Sequence, residues 1–360
     1  MNAVCSPAMP SPYVRNAWYV AAWSQDIAAE APFAITILNE PIVIWRSASG
    51  ALNALEDRCV HRLAPLSLGR CEGERLRCMY HGLLFGADGR VVDIPGQDLI
   101  PAQARVKRYA VVERHSWIWV WMGDAAAADP ALVPPAVGYD DPDYILGHGQ
   151  LDYAAEARLI NDNLLDFSHL SYVHANSFGA GPEFAHSTPE IVPLERGVRV
   201  RRWMKNTLGQ SSRKSPVPID SWQSYDFLVP GVLLMWSAQY PLGTADRLGL
   251  APPPMEEAIG GLNFTSQAVT PMTGDTARYF FSWGPHRRHG DEAMRDAMMA
   301  MAGMAFAEDK LMIEAQQRVI AATEDPRVMP TAHDRAVTLF NRLVARLAKA
   351  DSAPARQDAA

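Results

Sequence analysis

The sequence predicts an α+β fold in two parts: an all-β domain over residues 13–125, then a larger domain over residues 126–345 with an antiparallel sheet and helices. Three observations lead there. Short β-type runs separated by Gly and Asp-Gly turns fill the stretch from Tyr13 to Gly123. An Ala-rich and then Pro-rich stretch, Asp124 to Pro135, interrupts that pattern and reads as a linker. Beyond it, helical patterning flanks a second block of β-type runs.

In the first domain the β-type runs include Ala34-Ile-Thr-Ile-Leu38, Ile42-Val-Ile-Trp45, Arg90-Val-Val92 and Trp117-Ile-Trp-Val-Trp121. Asp88-Gly89 is a typical turn between such runs. In the second domain, Leu151 to about Val173 reads as an approach strand and then a helix. From about Ile191 to Phe281 come Val198-Arg-Val-Arg-Arg-Trp203, Val232-Leu-Leu-Met-Trp236 and Arg278-Tyr-Phe-Phe281. The first of these alternates and the other two are mostly apolar, as in a large antiparallel sheet. Asp291 to Thr323 has charges at helical spacing and reads as one or two helices, with Gly303 as the candidate break. Residues 346–360 read as a frayed, disordered tail.

The 360 residues are 48% hydrophobic and 20% charged, enough for a substantial core. The net charge of -7 offers no basic footprint for nucleic acid. No apolar run reaches the ~18–20 residues of a membrane span, and the N-terminus lacks the pattern of a secretory signal. These features predict a soluble, cytoplasmic protein. Its four cysteines are Cys5, Cys59, Cys71 and Cys78. In a reducing compartment, patterned cysteines point to metal or catalysis.

Two of them are patterned. Cys59-Val-His61 is followed, sixteen residues on, by Cys78-Met-Tyr-His81. Two thiolates and two imidazoles fit either a tetrahedral zinc site or a [2Fe–2S] cluster with two Cys on one iron and two His on the other. The cluster is favoured because each pair brings one sulfur and one nitrogen ligand, whereas a zinc finger groups its cysteines apart from its histidines. Cys71 has no His two or three residues on, and with Cys5 it is read as a bystander.

A second constellation follows the linker, in Ile160-Asn-Asp-Asn163-Leu-Leu-Asp166-Phe-Ser-His169-Leu-Ser-Tyr-Val-His174. Two histidines and a carboxylate are the donor types of non-haem Fe(II) sites with open positions. His169 and His174 are five residues apart, about 140° around an ideal helix. Both reach one metal only if the helix bulges or stops near Tyr172. Asn163 precedes Asp166 by three, on the same face of such a helix. His115, His286 and His289 have no partner pattern.

The segment Cys78-Met-Tyr-His-Gly-Leu-Leu-Phe85, with Asp88-Gly89 and Pro95, resembles the second loop of Rieske domains. Arg62, Pro65, Leu66 and Gly69 resemble the first. The respiratory Rieske branch would carry extra cysteines at Ala64 and Tyr80; their absence leaves the oxygenase and ferredoxin branch. Asp162-x₃-Asp166-x₂-His169-x₄-His174 resembles the mononuclear iron motif of Rieske oxygenase catalytic subunits. Asn16-Ala-Trp-Tyr-Val-Ala-Ala-Trp23 and Asn163–His174 resemble the vanillate O-demethylase and dicamba monooxygenase branch.

The resemblance implies an N-terminal Rieske [2Fe–2S] domain on Cys59, His61, Cys78 and His81, and a helix-grip-like catalytic domain. It makes His169 and His174 ligands of a mononuclear Fe(II). The third ligand falls on the C-terminal helix at Asp309, with Glu308 as the alternative. Asp166 becomes the relay between the mononuclear iron and His81 of a neighbouring subunit, with Asn163 beside it. Further implied are NAD(P)H electrons through a separate reductase, O₂, a small aromatic substrate that is hydroxylated or O-demethylated, and a homotrimer. A ring hydroxylase or dioxygenase is the rival enzyme, and a Rieske electron carrier the rival of another class. Trp236, Asn263 and Trp283 are candidates for the pocket, with core packing the ordinary role of such tryptophans.

Overall fold

The computed structural model describes residues 12–174, 177, 187–208, 217–324 and 326–351. Cys5 and residues 352–360 lie outside them. Two compact units emerge: one runs to Val133 and includes Thr270–Asp275, and the other takes Pro134–Val269 and the chain from Thr276 onward. No described helix is long and apolar enough to cross a membrane.

The first unit is all β, as the sequence predicts. Its strands are β1 (Trp18–Trp23), β2 (Phe33–Ile37), β3 (Glu40–Arg46), β4 (Leu52–Glu56), β5 (Arg70–Glu72), β6 (Arg75–Arg77), β7 (Leu84–Phe85), β8 (Val91–Asp93), β9 (Val111–Arg114) and β10 (Trp117–Trp121). They form three small sheets, ordered β1-β10-β9, β2-β3-β4 and β5-β6-β7-β8. The tryptophan-rich run 117–121 is buried along its whole length and pairs with β1. Two hairpins turn on two residues at positive φ, Leu38-Asn39 and His115-Ser116, the geometry that matches strand twist. Both cysteines of the paired motif lie in the unit's core with Trp45, Leu66, Leu76, Phe85 and Val106.

The second unit is a seven-stranded sheet with helices. Its strands are β11 (Gly147–Tyr153), β12 (Glu190–Leu194), β13 (Gly197–Leu208), β14 (Pro218–Leu228), β15 (Val232–Pro241), β16 (Gly260–Pro271) and β17 (Ala277–Pro285), in the order β11-β17-β16-β15-β14-β13-β12. Three helices matter here: α1 (Ala157–Leu165), α2 (Glu292–Ala322) and α3 (Arg335–Asp351). Phe306 of α2 packs edge-on against Tyr279 and Phe281, and Phe340 of α3 against Phe227. Those contacts fix which sheet face the helices cover. Gly149 makes room for them, because a Cβ there would come within 2.4 Å of the Phe281 ring.

Three sequence expectations change. Gly303 does not break α2, which is one 31-residue helix capped by Asp291. Its glycine has open space around it, so the loss of helix propensity, about 1 kcal/mol, is carried by the rest of the helix. Residues 346–351 are the end of α3 rather than tail, held through the buried face of Ala336, Phe340, Leu343 and Ala348. The helix after β11 does stop early, one of the two expected irregularities, but at Leu165 rather than near Tyr172 and without a π bulge.

Candidate metal centres

The two Cys–His loops of the first unit close in the same way. The Cys59 amide donates to Ala64 O at 2.8 Å and the Leu63 amide donates back to Cys59 O at 2.9 Å. In the second loop Cys78 donates to Leu83 O at 2.9 Å and Gly82 donates to Cys78 O at 3.0 Å. The fourth residue after each cysteine takes positive φ: Leu63 at 58° and Gly82 at 79°. This shared ring turns each cysteine inward and lifts the histidine outward. Cys59 and Cys78 are buried, whereas His61 and His81 are exposed with ring centroids 4.5 Å apart. Burial pushes the Cys59 thiol up, and hydrogen bonds from the His61 and Arg62 amides oppose that, ready to stabilise a thiolate. Two inward sulfurs and two outward imidazoles are the donor set that would hold a [2Fe–2S] cluster of the two-Cys, two-His type.

In the second unit, His169, His174 and Asp309 come together, with ligand atoms all within 4.8 Å of one another. The break after α1 makes this possible. Asp166 leaves helical geometry (φ -122°, ψ 99°), and Phe167–Ser171 restart as a 3₁₀ turn that carries His169. His174 follows the turn and is only 1% exposed. Asp309 arrives from α2, also buried, with Oδ1 at 3.3 Å from His174 Nε2 and 3.6 Å from His169 Nε2.

Each imidazole is oriented from behind. His169 Nδ1 lies 2.6 Å from Asp166 O, and His174 Nδ1 lies 2.9 Å from Glu308 Oε2. Ser177 Oγ donates to the same Glu308 oxygen at 2.6 Å. With Nδ1 as donor, Nε2 is left as the lone-pair nitrogen on both rings, the arrangement of metal-bound histidines. Burial lowers the His169 pKa. At His174 burial also disfavours charge, but Asp309 and Glu308 outweigh it and raise the pKa. Glu308 is lowered by Ser177 and His174. A divalent cation would replace the proton that these carboxylates now attract.

The remaining predicted residues fall as follows. Asp166 does not lie on the helix face of Asn163, because the helix has ended. Its carboxylate accepts from Ser168 N at 2.8 Å and Ser168 Oγ at 3.0 Å, capping the 3₁₀ turn. Asn163 instead donates to Asp309 Oδ1 at 3.2 Å and lies 3.5 Å from His169 Nε2. Asp162 faces elsewhere and accepts from Asn341 of α3. Trp236 packs near Trp222, on the sheet face opposite Tyr225 and Phe227. Asn263 and Trp283 do share a row: Trp283 Nε1 donates to Asn263 Oδ1 at 2.8 Å and Asn263 Nδ2 to Ser237 Oγ at 2.9 Å. Strand register continues this row through Gln223 and Arg202, on the same face as Tyr225. Glu308 as orienter, Ser177 behind it, and the row members Ser237, Gln223 and Arg202 were not foreseen; strand alternation around Arg202 held a signal for that end of the row.

Known proteins share both domains. Residues 17–109 match the Rieske [2Fe-2S] domain, and residues 153–350 match the vanillate O-demethylase oxygenase C-terminal domain. The chain belongs to the Rieske oxygenases of the vanillate O-demethylase type. This oxygenase component is 37% identical to the toluene-4-sulfonate monooxygenase system iron-sulfur subunit of Comamonas testosteroni, over 94% of this chain and 98% of that one. Among solved structures it resembles dicamba monooxygenase bound to 3,6-dichlorosalicylic acid (TM-score 0.86, 30% identity, 96% of this chain and 100% of that one). It also resembles dicamba monooxygenase with non-heme iron and dicamba (TM-score 0.77, 28% identity, 95% and 99%). It is thus an O₂-incorporating oxidoreductase fed by a separate reductase, and its rivals as a zinc protein or bare electron carrier fall away.

Proposed function

We propose that this oxygenase oxidises a one-carbon substituent, methoxy or methyl, on a small aromatic acid, with O-demethylation as the leading reaction. The carrying observation is the His169–His174–Asp309 cluster, with His174 and Asp309 buried, on the helix-covered side of a sheet that presents a polar row of buried Arg202 and half-buried Gln223, Ser237, Asn263 and Trp283. Toluene-4-sulfonate, vanillate and dicamba, named for its relatives, each combine a ring, an anionic group and a one-carbon substituent.

His169, His174 and Asp309 would hold Fe(II), which supplies O₂ activation; Cys59, His61, Cys78 and His81 would hold the [2Fe–2S] cluster, which supplies electrons. Glu308 and the Asp166 carbonyl keep both imidazoles in the ligating tautomer, and Asn163 steadies Asp309. The polar row binds the substrate's acidic group, so that its one-carbon substituent points at the histidines. An aryl methyl ether, O₂, NADH and a proton yield a phenol, formaldehyde, NAD⁺ and water.

The exposed apolar rim around His61 and His81 (Leu63 64%, Met79 54%, Tyr80 60% exposed) supports a head-to-tail homotrimer. In that ring His81 of one copy meets Asp166 of the next. The cytoplasm, where the reductase draws on NAD(P)H, is its compartment.

The test is reductase- and NADH-dependent formaldehyde release from methoxylated aromatic acids, with His169→Ala as control. Formaldehyde from wild type alone supports O-demethylation. A hydroxylated product that keeps every carbon would overturn it in favour of ring hydroxylation.

A further inference from the structure

The first unit carries a second feature that neither metal centre uses. A groove of about 450 Å³ is lined by Glu56, Arg58, Asp88, Arg105, Lys107 and Arg108, with Val106 at its floor. Its walls follow from the backbone. The segment 104–109 runs between β4 and the turn before β8: Glu56 N donates to Lys107 O, Val106 N to Gly89 O, and Tyr109 N to Ala54 O. Along this segment Val106 and Tyr109 are buried, while Arg105, Lys107 and Arg108 are exposed. Gly89 seals the floor, since a Cβ there would meet Val106 O at 2.5 Å.

Charge gathers here against the trend of the molecule. The chain has a net charge of -7, yet four of the groove's six charged side chains are cationic. Arg58 pairs with Glu56, and Lys107 with Glu40, while Arg105 and Arg108 make no ion pair among the described residues. An exposed cation pair on an acidic surface costs self-repulsion nearby and returns nothing to the fold. The groove is also next to the redox machinery. Arg58 directly precedes Cys59, and Val106 belongs to the packed cluster that contains Cys59 and Cys78. The apolar rim around His61 and His81 is a different surface, formed by Val60, Leu63, Met79 and Tyr80.

We infer that this groove is the docking surface for the electron donor, and that the donor meets it with an acidic face. The inference rests on the Rieske-oxygenase reading. In that reading the histidine tip is covered by the next copy, so the donor needs another way in. An acidic donor face would be repelled by the chain's net negative charge and drawn to these local cations. The step itself is one electron: the donor's reduced centre is oxidised and the [2Fe–2S] centre is reduced, with no bond made or broken.

The experiment uses full-length holoprotein and, as donor, a photoreduced plant-type [2Fe–2S] ferredoxin, whose surface is acidic. Reduction of the Rieske centre is followed by its visible absorbance. Wild type should be reduced at a rate that falls as salt rises. Arg105→Glu with Arg108→Glu should slow reduction about tenfold at low salt and flatten the salt dependence. Photoreduction by deazaflavin, which needs no docking, should be unchanged. Arg75→Glu, on the β5–β6 hairpin, should match wild type. Equal rates for wild type and the double variant, an equal loss in Arg75→Glu, or failure of the ferredoxin to reduce wild type would each overturn the inference. A wild-type protein without Rieske absorbance would instead defeat the underlying reading, so the two failures are distinct. If the double variant lacks that absorbance, Arg105→Gln with Arg108→Gln should still show the flattened salt dependence.

Discussion

The candidate ligands of the first unit lie between positions 59 and 81, on two loops that close their own backbone rings, whereas His169 and Asp309 are 140 positions apart and meet only through the fold. The first site puts its sulfurs inside and its imidazoles at the surface. The second buries a histidine and its carboxylate almost completely. Local encoding suits a centre that exchanges electrons with other proteins, since its geometry survives movement around it. Long-range encoding suits a centre that handles substrate, because the helix and sheet that deliver Asp309 also build the walls.

The largest expected effect separates the two centres. Asp309→Ala removes the only long-range ligand and leaves both loops untouched. Iron should fall from three per chain to two, with the Rieske absorbance intact and turnover down by on the order of 10³ or more. Loss of all three irons together with the absorbance would show that the loops depend on the second unit, and the contrast would fail.

A smaller effect is expected at the proposed junction. In Asp166→Asn the amide oxygen can still cap the 3₁₀ turn at Ser168, so His169 keeps its place. The carboxylate charge is lost. Iron content and Rieske absorbance should hold while single-turnover oxidation of the cluster slows by about 10–100-fold. An unchanged rate would remove Asp166 from the electron route.

The same contrast explains what the sequence disclosed. Cys59, His61, Cys78 and His81 were legible because ligand spacing and loop geometry are both local. His169 and His174 were legible as a pair, but the place of the break was not. It depends on Asp166 preferring to cap Ser168 over continuing a helix, and both choices suit an aspartate. Asp309 and Glu308 are adjacent acids whose roles differ only by which side of His174 they reach, and that is set by how α2 packs on Tyr279 and Phe281. The polar row needs the register of five strands, which no single segment encodes. Asn163 turned from a presumed partner of Asp166 into a partner of Asp309 for the same reason.

Gly82 probes the local side of the contrast. It holds the left-handed position of the second loop, and a Cβ there would also meet Pro95 Cγ at 2.8 Å. Gly82→Ala should destabilise the loop by about 1–3 kcal/mol, seen as earlier loss of Rieske absorbance on heating. Leu63 holds the matching position without glycine, so Leu63→Gly should be near neutral. Equal losses in both variants would mean that the side chains, and not the shared backbone ring, set the loop.

The smallest effect asks whether the scaffold behind the loops has its own pH limit. Glu40, on β3, accepts from Lys107 at 2.6 Å and Tyr109 at 2.7 Å and pairs with Arg15, tying segments 67 positions apart. Burial alone would raise its pKa, but the hydrogen bonds from Lys107, Tyr109 and Arg15 win and hold it at about 2, below its ordinary 4.5. A depressed carboxylate stabilises the fold above its unfolded pKa and loses that contribution as pH falls through the folded one. Glu40 is partly exposed, so the effect is discounted for solvent screening to about 1 kcal/mol. Glu40→Gln should therefore lower the melting temperature at pH 7, and the gap to wild type should close between about pH 4.5 and 2. A gap that persists unchanged at pH 2 would assign the loss to packing. It would also leave the segment bearing Lys107 held by its backbone bonds to β4, a long-range tie behind loops that close locally.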